Sequence, residues 1–226
     1  MKSLIEYINE SNKIELSSDG NEHGFEYVDL GLPSGTMWAT CNVGADTSED
    51  EGLLFQFGRV DGYRYRDKNS QFRTNYQNKQ DTGNDTTPLT TSGKVYKAND
   101  ILDLADDAAH VHMGGKWRMP TYDELKELVD NTTYDVVTVN GIKGMMFTST
   151  KPGYEDKQLF IPFMQSFWYN GTWYSLVECY TFMWSSKLHT SYVDGAYRLY
   201  CDSGCVADFG YVYRAFAYSV RGVFKK

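Results

Sequence analysis

The chain has 226 residues, a formal net charge of −8, 15% aromatic residues, 20 glycines and 18 tyrosines. That length predicts one domain with a small appendage, and the aromatic, glycine-rich mix suits short strands and ordered loops better than a helical bundle. The charge disfavours nucleic acid, which needs clustered Lys and Arg, and no run approaches the ~18 apolar residues of a membrane span.

Residues 1–16, MKSLIEYINESNKIEL, carry Glu6 and Glu10 where a signal peptide needs an apolar stretch. They predict a short helix with a Ser3/Glu6 capping box and a narrow apolar stripe of Leu4, Ile5 and Ile8. So short a helix is marginal alone, so it either docks on its own domain or attaches the protein to a partner assembly. Residues 17–23 read as a polar linker, and 24–226 as the main domain.

From Phe25 the residues alternate, with Val28 and Leu30 on one face and Tyr27 and Asp29 on the other, which predicts a strand. A Gly-Leu-Pro-Ser-Gly turn leads into a second strand carrying Trp38. Residues 46–98 read as long polar loops around a short buried strand at 53–58. Residues 100–112, DILDLADDAAHVH, have helical apolar spacing, with Asn99 or Asp100 as cap and Gly114-Gly115 as the stop. Thr121 and Glu124 form a capping box for a second helix that buries Leu125, Leu128 and Val129. Strands follow: a hairpin turning at Asn140-Gly141, a short run at 159–163 stopped by Pro162, a hairpin turning at Asn170-Gly171, and alternating strands after Met183.

Few residues suggest catalysis or metal binding. Cys41, Cys179, Cys201 and Cys205 lack zinc spacing. Cys201 and Cys205 are close enough in sequence for a disulfide, but free thiols fit a protein folded in a cytoplasm. His110 and His112 are two apart on a helix and point away from each other. No nucleophile–base arrangement surrounds His23 or His189. The acidic sets Asp100, Asp103, Asp106, Asp107 and Asp46, Glu49, Asp50, Glu51 read as solvated charge rather than a calcium site. Trp38, Trp117 and Trp184 read as core, and Arg118 and Arg221 as buried arginines bonded to carbonyls or a carboxylate. No cofactor and no metal is expected.

Three segments in order carry a resemblance: FEYVDLGLPSGTMWATCNVGA (25–45), GGKWRMPTYDEL (114–125), and MWSS (183–186) with AYSVRGV (217–223). Together they resemble the Fibrobacter succinogenes major paralogous domain family, common in Bacteroidetes and their phages. The resemblance implies an α+β, C-type-lectin-like fold: two helices on a twisted antiparallel sheet with a loop-rich layer. It also implies a non-enzymatic binding module. Combined with the N-terminus, it favours a phage virion protein, such as a head fibre, decoration or tail-associated adhesin. Such a protein would hold phage capsid or tail proteins through residues 1–16 and bind a host-surface glycan or protein. A bacterial cell-surface or secreted binding protein is the alternative, and an oxidase of the formylglycine-generating type, using Cys201 and Cys205, a remote one. A trimer fits a fibre, but no heptad run supports it.

The expected binding surface is residues 189–216, HTSYVDGAYRLYCDSGCVADFGYVYRAF. Large aromatic rings mixed with Asp, Ser and Arg give contact area at low entropic cost, as in paratopes. Its candidate ligand-binding residues are His189, Tyr192, Asp194, Tyr197, Arg198, Asp208, Phe209, Tyr211, Tyr213, Arg214 and Phe216.

Overall fold

The structure, a computed structural model, describes residues 16–65, 67–70, 72, 90–169, 172–176 and 179–226. The expected N-terminal helix with Leu4, Ile5 and Ile8, and the Asn170-Gly171 turn, lie outside the described residues. Among the described residues the fold is mixed α/β and mostly sheet, with two α-helices. Strands β1 (Gly20–Glu22), β2 (Phe25–Val28), β3 (Thr36–Asn42) and β4 (Leu54–Gln56) precede helices α1 (Ala108–Met113) and α2 (Tyr122–Asp130). Next come β5 (Thr132–Val139), β6 (Ile142–Ser149), β7 (Gln158–Pro162), β8 (Ser166–Tyr169) and β9 (Thr172–Ser175). The chain closes with β10 (Tyr180–Leu188), β11 (Gly195–Asp202), β12 (Val206–Tyr213), β13 (Ala217–Ser219) and β14 (Arg221–Lys225).

Instead of the one twisted sheet expected, the described strands form three sheets. They run β1-β2-β3-β14, then β12-β11-β10-β13-β8-β9 with β4 on β13, then β5-β6-β7. Among the named strands only β10 and β13 pair in parallel. The first sheet begins inside the expected linker, because His23 (φ 51°) and Gly24 (φ 91°) make a tight hairpin turn joining Glu22 to Phe25. Both residues adopt the positive φ that such a two-residue turn requires. Asn140 (φ 49°) and Gly141 (φ 89°) do the same between β5 and β6, as their sequence predicts.

The three motif segments meet at β14. Val223 pairs with Trp38 across the sheet, and its backbone N–H and C=O bond to Arg118 on the other side. Ser186 donates its N–H to the carbonyl of Pro120. The Pro-Ser-Gly turn is tied to α2, where Ser34 N–H donates to Glu127 at 2.8 Å and Thr36 Oγ1 donates to Glu124 at 3.1 Å. Alternation along these strands feeds two cores. Met37, Ala39, Trp117, Trp184 and Phe224 enter one, while Val28, Leu30, Trp38, Leu125, Leu128, Met183 and Val223 enter the other. The central strands are therefore covered on both faces, and all three motif tryptophans are fully buried. Arg118 makes a bidentate pair with Glu124, and buried Arg221 donates to the carbonyls of Ala39 and Phe160.

The helix expected over 100–112 is shorter. Ile101 bridges to Lys187, Leu104–Asp106 is a 3-10 turn, and α1 begins only at Ala108. The cause is non-local. Asp106 accepts from Ser92 N, Ser92 Oγ and Tyr96 OH, while Asp107 caps α1 and accepts from Met119 N. Both carboxylates are buried, which corrects the reading of these two as solvated charge, while Asp103 of the same run is exposed as expected. Burial raises the Asp107 pKa, with the hydrogen bonds to His110 and Met119 opposing. The capping box at Thr121 and Glu124 forms as expected.

Candidate functional site

Strands β10, β11 and β12 carry the expected binding segment out from the core. Met183 and Leu199 anchor one face of this sheet and Trp184 and Ala196 the other. The register is continuous from Gly195 opposite Tyr213 to Asp202 opposite Val206. A three-residue turn closes it, with Cys205 in the left-handed region (φ 61°). Successive side chains on a strand point to opposite faces, so the eleven candidate residues do not form one surface.

One face gathers His189, Tyr192, Tyr197, Phe209 and Tyr211. The imidazole of His189 lies 4.0 Å from the Tyr211 ring, 4.9 Å from Tyr192 and 5.2 Å from Tyr197 between centroids. Tyr197 also meets Tyr122 at the start of α2, at 4.4 Å, and Phe209 meets the same ring at 5.8 Å. The helix thus braces the cluster from beneath. Tyr122 went unnoticed in the sequence, where it is one aromatic residue inside a capping motif. His189 Nδ1 accepts the backbone N–H groups of Ser191 and Tyr192, both at 3.1 Å, which assigns its proton to Nε2. Desolvation lowers its pKa, against an opposing pull from Asp194, so the ring is neutral at pH 7. Tyr192, Tyr211 and Tyr213 are 53%, 49% and 44% exposed.

The opposite face holds Arg198, Asp208 and Phe216 from the expected set. Here the Arg198 guanidinium lies 4.9 Å from the Phe182 ring centroid and 5.4 Å from that of Tyr200. An aromatic strip continues across the strands. Tyr180 is near-parallel to Tyr200, Phe182 to Tyr218, Phe167 to Tyr174 and Tyr169 to Phe216. Its outermost rings, Tyr174 and Tyr180, are exposed. Sequence reasoning missed this strip although a signal was present. Tyr180/Phe182, Phe167/Tyr169 and Phe216/Tyr218 are aromatic pairs two residues apart, the spacing that puts both rings on one face of a strand. Burial raises the Tyr200 phenol to about 12, reinforced by its 2.8 Å hydrogen bond to Asp202.

Compared with known family models, curated proteins and solved structures, the chain has no match.

Two residues expected at the surface are not there. Arg214 is 1% exposed, with its guanidinium 5.4 Å from the Phe57 ring centroid and Nη1 donating to the Val193 carbonyl. It alternates with Tyr211 and Tyr213 and shares the side of Val212, which packs on the core. Cys201 is also fully buried, and burial pushes its thiol up. All four cysteines are free thiols, and Cys205 is exposed with Sγ near the Tyr134 carbonyl. Among the described residues, no group of three or more His, Cys, Asp or Glu side chains is placed to hold a metal ion. His110 bonds to the Trp117 carbonyl and His112 to that of Val60, so each is held by backbone. A cavity of about 250 Å³ is lined by Phe25, Ala39, Cys41 and Met113, none of them in the hairpin. Among the described residues no helix is long and apolar enough to cross a membrane.

Proposed function

We propose that this chain is a non-enzymatic binding module that recognises a host-surface glycan or protein through its C-terminal hairpins. The observation that carries the reading is the His189–Tyr192–Tyr211 cluster with neighbouring Tyr213. It offers amphipathic, solvent-facing rings on a hairpin that the core and α2 hold in place. Preorganised aromatic side chains lose little entropy on contact. A neutral imidazole whose proton is on Nε2 adds a donor suited to hydroxyl or carbonyl oxygens.

The fold reading is C-type-lectin-like, within the Fibrobacter succinogenes major paralogous domain family. The convergence of the three motif segments on β14 supports it, since residues far apart in sequence build one scaffold there. On this reading the protein is a phage virion component, a head fibre, decoration or tail-associated adhesin. It attaches to capsid or tail proteins through Leu4, Ile5 and Ile8 and presents the hairpins outward. The aromatic surface suits such a role, because exposed apolar patches of this kind mark interaction sites.

The test is a binding screen of the full chain against a glycan panel and intact Bacteroidetes cells, alongside a Tyr192→Ala/Tyr211→Ala variant. The expected result is retention of at least one ligand by the native chain and a loss of roughly tenfold or more in the variant, as for interface hot spots. Retention of the same ligands with unchanged affinity in the variant would reject the surface.

A further inference from the structure

Arg198 lies opposite Gly210 on β12 and Trp184 on β10, so neither strand neighbour offers it a carboxylate. Its Nε is buried and without a hydrogen-bond partner, and the side chain forms no ion pair with any described residue. A buried polar group left in this state calls for an explanation. Asp208, on the same face, directs Oδ1 to the Phe209 N–H at 2.7 Å and makes no ion pair with the guanidinium. Desolvation depresses the Arg198 pKa, with the neighbouring Tyr218, Tyr200 and Asp208 opposing it, and the Tyr218 hydroxyl lies against the guanidinium. Beside it stand the rings of Tyr200 and Tyr180, within 27° of parallel, with Tyr180 exposed.

We propose that Arg198 anchors a second binding site, for an acidic sugar. Its carboxylate pairs with the guanidinium fork, and the C–H face of its ring lies on Tyr200 and Tyr180. A planar guanidinium matches a carboxylate bidentately, which an ammonium cannot do. A bare inorganic anion would leave the flanking rings unused. A polyanion would meet a chain of net charge −8. One carboxylate on an apolar-faced ring uses both features. The site faces away from the His189 cluster, and it deepens the binding-module reading by naming a ligand class.

The experiment is titration of the full chain with sialyllactose, lactose and acetate, repeated for four variants. Native protein should bind sialyllactose at least tenfold more tightly than lactose, and acetate should compete poorly. Arg198→Met, which keeps the apolar stem, should lose about ten- to a hundredfold, the scale of a charge-assisted hydrogen-bonded pair. Arg198→Lys should lose less, because it keeps the charge without the fork.

Gly210→Asp is the independent variant. A Cβ there meets only Arg198 Nη2, at 3.9 Å, so the fold accepts a carboxylate that occupies the fork from within. It should abolish the preference for sialyllactose while the thermal unfolding curve stays intact. Tyr192→Ala/Tyr211→Ala should leave this affinity unchanged. Equal affinity for lactose and sialyllactose, native affinity in Arg198→Met and Gly210→Asp, or equal binding of acetate would overturn the inference. If neutral ligands still bind through the Tyr192 face, the module reading survives that failure. If nothing in the glycan and cell screen binds, both fall.

Discussion

Glu124→Gln is expected to destabilise the protein by about 3 kcal/mol at pH 7, and the loss should shrink as the pH falls. Glu124 sits where the motif segments join. It accepts from Arg118 Nη1 and Nη2 at 2.7 and 2.6 Å, from Thr121 N at 2.9 Å and from Thr36 Oγ1 at 3.1 Å. Burial alone would raise its pKa, but the hydrogen bonds and charge of Arg118, with those of Thr121, outweigh burial and hold it at about 2. A drop from 4.5 to about 2, at about 1.36 kcal/mol per tenfold change in proton affinity, gives the figure of about 3 kcal/mol. The folded-state pKa is the lower one, so this stability is fully present above the unfolded value near 4.5. It drains away as the pH falls through about 2. Denaturant unfolding of the native and variant chains between pH 7 and pH 2 checks it. Curves that stay a constant distance apart over that range would show that the carboxylate charge contributes nothing.

Trp184→Ala should destabilise the protein by about 3–5 kcal/mol. The indole is fully buried and lies 5.6 Å from the Phe57 ring and 4.9 Å from Tyr218, while Nε1 donates to the Phe55 carbonyl at 2.8 Å. Its removal leaves a cavity and deletes the indole's hydrogen bond to the Phe55 carbonyl of β4, two costs that add. For a chain of this size that corresponds to a fall in Tm of roughly 10–15 °C. Tyr218 and Phe182 stack beside it, so the Arg198 face should loosen as well. Calorimetry of the variant tests this. A change under about 1 kcal/mol would mean that the core closes over the gap.

The parts of the fold legible in the sequence are those fixed by local chemistry. The capping box at Thr121, the Asn140-Gly141 turn and the glycine stop at Gly114 depend on residues adjacent in the chain, and all three stand where expected. The helix over 100–112 failed because Asp106 and Asp107 serve partners that the sequence cannot place beside them: Ser92, Tyr96 and Met119. The sequence places the candidate binding rings on one run of strands but does not separate their two faces. Alternation shows that Tyr211 and Tyr213 oppose Val212 and Arg214. It does not show which side the core covers, and here it covers Arg214. The aromatic strip from Tyr180 to Tyr174 draws on the consecutive strands β8, β9 and β10 together with β13, which comes some 30 residues later and inserts between β10 and β8, an order that the sequence does not display.

The central claim is that recognition belongs to the hairpins of β10, β11 and β12 and not to the scaffold motifs. Hydroxyl-radical footprinting of the full chain, with and without the tightest ligand from the glycan and cell screen, addresses it directly. Protection should appear at Tyr192, Tyr211 and Tyr213, or at Tyr180 and Tyr200 for an acidic sugar. Tyr27 and Phe25 on the first sheet should be unchanged. Protection confined to residues outside 180–216 would contradict the account.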